Sequence, residues 1–282
     1  MRVVTTTTDL RSPVEAVGGD LVTAVSLLAA AQNPHAFAAR PRDLAAVREA
    51  DLLVRIGLDH EPWTRALVAR AGNPRIALGG PADVVVSKGL DLLEPAARTG
   101  GPPGHAHAFG NTHVWLDPGH AEPITRAIAD ALAAARPRER EVVEARRAEL
   151  LARVEAGLAR WTARLAPYRG IRVAAVHDSF PYLARRFGLE IVGHLEPQPG
   201  IAPPPAHLAR LAAEIRRHGV RVVLAEAWQP EDLARRVASA AGATVVLLPT
   251  SVDSVPGTGD YVALMDVIVE RLAAGLAAAA AR

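Results

Sequence analysis

Cysteine is absent from this 282-residue chain. Disulfides, thiolate metal ligands and cysteine nucleophiles are therefore excluded, and any metal held here is held by nitrogen and oxygen atoms. Lysine is nearly absent too: Lys88 stands alone, and arginine carries the rest of the positive charge. Along stretches such as Arg138 to Arg164 the arginines are interspersed with Glu, the pattern of a solvated helix face. With a net charge of only +2 and aromatics at 4%, the chain has no basic block interleaved with aromatics, which argues against nucleic acid as a partner. No charge-free apolar run reaches the roughly 18 residues of a membrane span, and the alanine-rich stretch from Leu272 to Ala281 reads as a terminal helix. The opening Met1 to Thr8 shows no basic n-region, apolar h-region or cleavage site. Composition thus fits a cytoplasmic chain or one whose leader has been removed.

What is present is an alternation of short β-branched runs with longer amphipathic segments, the signature of α/β architecture with mainly parallel sheets. Strands are expected at Arg2–Thr6, Val22–Leu28, Leu52–Ile56 and Arg75–Leu78, then at Arg172–Val176, Glu190–His194, Val220–Ala225 and Thr244–Leu248. Two groups of four imply two similar lobes, residues 1–136 and 167–282. Between them Asp117-Pro118 opens a helix to about Ala135, and Pro137 starts another reaching about Leu165. At roughly 1.5 Å per residue the second is about 40 Å long, a stiff backbone helix over 137–166 joining the lobes and restricting hinge motion. The segment Glu94 to Asn111, with Gly-Pro-Pro-Gly around His105 and His107, reads as a mobile surface loop. Glu196 to Pro205 reads as irregular chain ordered by its prolines.

Three histidines occupy the turns of this pattern. His35 lies in Asn-Pro-His-Ala-Phe after the second strand, and His113 precedes the apolar Val114-Trp115-Leu116. His177 follows a strand at its carboxyl end, the edge where open α/β sheets bind ligands. Burial favours the neutral imidazole that ligates metal, and three imidazoles fill three corners of a tetrahedral zinc site. The fourth corner falls to Asp253, after the last expected strand, with Asp260 or water as the alternatives; Asp260 also suits the N-cap of a terminal helix. His60 suits a supporting role behind the ligands, although Glu61-Pro62 beside it also reads as a helix opening. His105 and His107 could catch metal transiently, whereas His120, His194, His207 and His218 read as helix-surface or strand-end residues.

Hydrolysis is the competing chemistry, because three histidines and an open position can activate water. It needs a general base, and Glu226 at the end of the seventh strand is the candidate. Its other reading is a partner that orients a ligand histidine or an arginine. A Ser-His-Asp triad from the adjacent His177, Asp178 and Ser179 is geometrically unworkable, and no Gly-x-Ser-x-Gly elbow exists.

The segments Val3 to Leu10, Asn33-Pro34-His35, Arg42 to Leu52, Gly57 to Trp63, His113 to Pro118, His177 to Phe180 and Gly259 to Tyr261 together resemble the TroA- or ZnuA-like solute-binding proteins. These are the metal receptors of bacterial ABC importers for zinc and manganese. The resemblance implies two α/β lobes joined by a backbone helix, with one ion between them held by His35, His113, His177 and an aspartate, Asp253. It also implies a monomeric, periplasmic or membrane-tethered receptor that hands its ion to ABC permease subunits and catalyses nothing. Histidine at 177 favours zinc over manganese, and a metal-dependent adhesin would share the fold. This chain departs from some relatives in lacking their cysteine pair and in shortening their His-rich loop to Gly-His-Ala-His.

Imidazoles must be deprotonated to ligate, so zinc affinity should fall as the pH drops through about 6.5. Zinc titrations at neutral pH and well below the imidazole pKa check this; equal affinity at both would exclude a histidine site.

Overall fold

The structure, a computed structural model, describes residues 1–93, 110–197 and 202–281. Its first sheet is formed by β1 (Arg2–Thr5), β2 (Thr23–Ser26), β3 (Leu52–Arg55) and β4 (Asp83–Val85) in the order β2-β1-β3-β4. The second repeats that order, β6-β5-β7-β8, with β5 (Arg172–Ala175), β6 (Glu190–His194), β7 (Val222–Glu226) and β8 (Thr244–Leu248). All pairings are parallel. The expected two-lobed α/β architecture is therefore borne out. In both sheets the chain reverses its direction of travel beside the first strand, and such a switch opens a crevice at the carboxyl ends.

Helices α1 (Thr8–Gly18), α2 (Pro41–Glu49) and α3 (Thr64–Ala71) belong to the first sheet, and α6 (Pro181–Phe187), α7 (Pro205–Arg217) and α8 (Glu231–Ala241) to the second. Asp117 accepts from Gly119 N at 2.8 Å and, with Pro118, forms a 3-10 turn that leads into α4 (Ala121–Ala135). The long helix α5 (Arg140–Leu165) follows a 3-10 turn at Pro137–Glu139. Its buried residues Val143, Arg147, Leu150, Val154, Gly157, Trp161 and Leu165 recur every three or four positions, one continuous stripe of a 3.6-residue period. That stripe packs on α1 and α4 from one lobe and on α9 (Tyr261–Ala280) from the other. One apolar core runs from Val3 and Val54 through α5 to Val173 and Leu224, so the spine is shared rather than peripheral.

Sequence and structure disagree at the fourth strand. Arg75–Leu78 is turn, and β4 lies at Asp83–Val85, in register with Leu53–Arg55. Ile76 is buried, but in the outer cluster with Val47, Leu67 and Val68 rather than in the sheet. Asn73 donates to the Val47 and Ala50 carbonyls at 2.8 Å each and ties this turn to the end of α2. The chain reaches the sheet edge only after Gly79, where φ is +81°, and there the Asp83 carboxylate receives both Arg55 Nε and Nη2, at 2.7 and 2.8 Å. The expected loop at 94–111 falls mostly outside the described residues, as do His105 and His107.

A second connection joins the lobes apart from the long spine. Thr8 Oγ1 donates to the Val252 carbonyl at 2.8 Å, Val252 N donates to Asp9 Oδ1 at 3.0 Å, and Tyr261 N donates to Ser12 Oγ at 3.1 Å. The first turns of α1 are thereby laced to the segment after β8. Asp9 is buried, and desolvation raises its pKa to about 7 against hydrogen bonds from Val252 and Ser251.

Two outcomes follow for stability. Trp161→Ala, which empties the spine's largest buried site and removes the Trp161 Nε1 hydrogen bond to Asp266 at 2.6 Å, should cost about 3–5 kcal/mol in denaturant melts. The raised folded pKa of Asp9 means its favourable contribution is present below the unfolded value and is lost as the pH rises through about 7. Between pH 5 and 8 wild type should therefore lose stability relative to Asp9→Asn; parallel stability curves would show that the carboxyl is not held protonated.

Candidate metal centre

Each histidine of the site is set by a local device at the carboxyl edge of a sheet. Asn33 Oδ1 accepts His35 N at 2.9 Å and opens the 3-10 turn Pro34–Ala36, while Trp63 Nε1 donates to the Pro34 carbonyl at 2.8 Å. Asn111 does the same for the second: its Oδ1 accepts His113 N at 2.9 Å and lies 3.3 Å from His113 Nδ1. His177 follows β5, and its Nδ1 meets Glu196 Oε2 at 3.0 Å. With the Nδ1 atoms of His113 and His177 engaged in this way, Nε2 is the atom each ring offers to an ion.

The structure brings His35, His113 and His177 together, with ligand atoms within 4.8 Å of one another. No other such group occurs among the described residues. His113 and His177 are buried. Ring centroids lie 5.4 Å apart for His113 and His177, 5.6 Å for His35 and His177, and 6.2 Å for His35 and His113. A cavity of about 280 Å³ opens on the three rings and continues past Glu196, Glu226, Trp228 and Gln229.

Asp253 is not brought to this cluster. It is exposed, has a φ of +65°, and pairs with Arg11 of α1 in a short ionic hydrogen bond. Asp260 caps α9, accepting Ala263 N at 2.8 Å, and pairs with Arg153 at 2.7 Å. His60, by contrast, is fully buried against the site, its ring 5.2 Å from His35 and 5.6 Å from His113, with Nδ1 2.9 Å from Thr112 Oγ1. Glu61 opens no helix, since α3 begins at Thr64. Its carboxylate accepts Thr6 Oγ1 at 2.7 Å, Ile56 N at 2.8 Å and Gly57 N at 3.1 Å, binding together the ends of β1 and β3. The two successive positive-φ residues Leu58 and Asp59 turn the chain back to make this possible.

Sequence reasoning named Glu226 as a partner for the rings but missed Glu196 and Asn111 beside them. Burial pulls the His177 pKa down, but the Glu196 hydrogen bond and the charges of Glu226, Glu196 and Asp178 outweigh it, leaving the net value above 6.5. Glu226 is only 3% exposed, and desolvation holds its pKa up while His177, Ser179 and Thr250 pull the other way. Ser179 Oγ donates to Glu226 Oε1 at 2.8 Å and lies 3.4 Å from His113 Nε2. Asn111 bridges the lobes, since Nδ2 donates to the Asp178 carbonyl at 2.8 Å, beside His177, while its own carbonyl accepts the Tyr182 hydroxyl at 3.0 Å. The sequence signal was Asn two residues before a clustered histidine, the same spacing as Asn33 before His35.

The arrangement can bind a divalent ion through neutral nitrogens with buried negative charge behind them, and comparison with known proteins points the same way. The ZnuA protein of Yersinia pestis, a high-affinity zinc uptake system protein, is 29% identical over 216 residues, 71% of this chain and 67% of its own. Its Bacillus subtilis namesake is 28% identical over 231 residues, 79% of this chain and 70% of its own. A ZnuA deletion mutant solved with zinc bound superposes with a TM-score of 0.82 at 25% identity, covering 98% of this chain and 97% of that one. A manganese-bound mutant of a periplasmic metal binding protein from Candidatus Liberibacter asiaticus shares the fold, with a TM-score of 0.83 at 18% identity over 97% of this chain and 98% of its own. The family model for ZnuA, zinc-uptake complex component A, periplasmic, matches residues 3–275, and the chain belongs to that family.

Proposed function

We propose that this chain is the extracytoplasmic receptor of a metal ABC importer, binding one Zn(II) ion between its lobes through His35, His113 and His177 and delivering it to the permease. Residues 1–136 and 167–282 serve as the metal-binding lobes in this reading, with 137–166 as the link, and the receptor acts as a monomer. The observation that carries it is the convergence of three imidazoles, two from the first lobe and one from the second, to within 4.8 Å. An all-nitrogen set of this kind suits zinc, whereas manganese prefers oxygen. No helix among the described residues is long and apolar enough to cross a membrane, which accords with a receptor working beside its permease.

The family is one of metal-transport receptors, not of enzymes. Glu226, the base a hydrolase would need, is engaged by Ser179 and faces a cavity already walled by ligand histidines.

Direct titration tests the reading. Wild type should bind one zinc per chain, and His113→Ala should bind at least about tenfold more weakly. Retention of full affinity in that variant would remove His113 from the site. In competition zinc should displace manganese strongly; comparable affinities would reassign the cargo.

A further inference from the structure

The three imidazoles are neutral when they ligate, so a bound divalent cation brings two uncompensated positive charges into a buried place. The expected anion, Asp253, is turned outward to Arg11. Other nearby carboxylates are committed as well. Asp260 is bound to the start of α9 and to Arg153, and Glu61 to Thr6 and two strand-end amides. Glu196 is spent on His177 Nδ1.

Glu226 is different. It is the last residue of β7, lines the cavity on which the three rings open, and is 3% exposed. Oε1 is fixed by Ser179, the hydroxyl that also reaches His113 Nε2, while Oε2 is buried with no hydrogen-bond partner among the described residues. A buried carboxylate oxygen without a partner costs stability in the metal-free chain and is retained where a cation will meet it. The geometry points to Glu226, not Asp253, as the residue that supplies the negative charge of the site and turns Oε2 toward the ion. Ser179 is then a positioning residue, holding the other oxygen so that the carboxylate faces the rings. This assignment rests on the metal-receptor reading above and names the anion which that reading leaves open.

Three forms of the full chain decide it: wild type, Glu226→Gln and Asp253→Asn. Zinc affinity is measured by competition with a chromophoric chelator, and thermal midpoints are measured without zinc. Glu226→Gln keeps the shape and removes the charge, so it should lose about ten- to a hundredfold in zinc affinity while the zinc-free protein melts no lower than wild type. Asp253→Asn should stay within about twofold of wild-type affinity. A function in holding the fold would instead lower the zinc-free midpoint of Glu226→Gln, and that result overturns the assignment. So does a Glu226→Gln affinity within twofold of wild type, or a larger loss in Asp253→Asn. A wild-type chain that binds no zinc removes the receptor reading, and this inference with it; a wild type that binds zinc beside an equally tight Glu226→Gln removes this inference alone.

Discussion

Two of the three imidazoles come from the first lobe and the third from the second, so the site exists only while the lobes keep a single relative placement. Much of what fixes that placement lies in residues 111–117. Asn111 donates across to the Asp178 carbonyl, Trp115 Nε1 to the Thr250 carbonyl at 2.9 Å, and the Trp115 carbonyl accepts the Tyr261 hydroxyl at 2.6 Å. Asp117 receives Arg186 of α6. The His-Val-Trp-Leu-Asp-Pro run is therefore a seam as well as a ligand motif. His113 faces the cavity, while Trp115 and Asp117 secure the opposite lobe.

The spine is long without being fragile because its apolar stripe is buried along its whole length. Exposed pairs such as Arg153 with Asp260 and Arg164 with Glu270 contribute little, because solvent screens them. They decorate an interface that the apolar stripe from Val143 to Leu165 already closes. Around the site the balance is reversed: polarity is buried and only partly satisfied, with Glu226 and Gln229 each holding a side-chain oxygen that has no hydrogen-bond partner among the described residues. Natural folds accept such local disagreement where function resides and offset it elsewhere.

Much of this was legible from the residues in order. The βα alternation gave both sheets, and five of the eight strands coincide with their expected positions to within about one residue at each end. Each of the three histidines announced itself by a turn signal beside a strand end. What was illegible depended on distant partners. Ile76 looks like a strand residue until α2 and α3 are packed over it. Asp253 looks like a ligand until Arg11, 242 positions away in the chain, is placed beside it. Glu61 beside proline resembles a helix start, and only the assembled edge of β1 and β3 shows three donors converging on it. Local pattern reports which groups reach a sheet edge, whereas the choice among acids there is made by arginines and amides from other segments.

The shared spine has a consequence for timing. Once an ion rests on His35 and His113, the imidazole of His177 is no longer a second reactant diffusing in solution but a neighbour at high effective concentration. That concentration rises as the lobes are held more firmly, and tight binding is then expressed chiefly as a slow off-rate. A receptor so stiff grips its cargo for longer than a freely hinged one with the same ligands. In the receptor reading proposed above, letting the ion go means parting the lobes, and the contacts from Asn111 to Asp117 are among those that must yield.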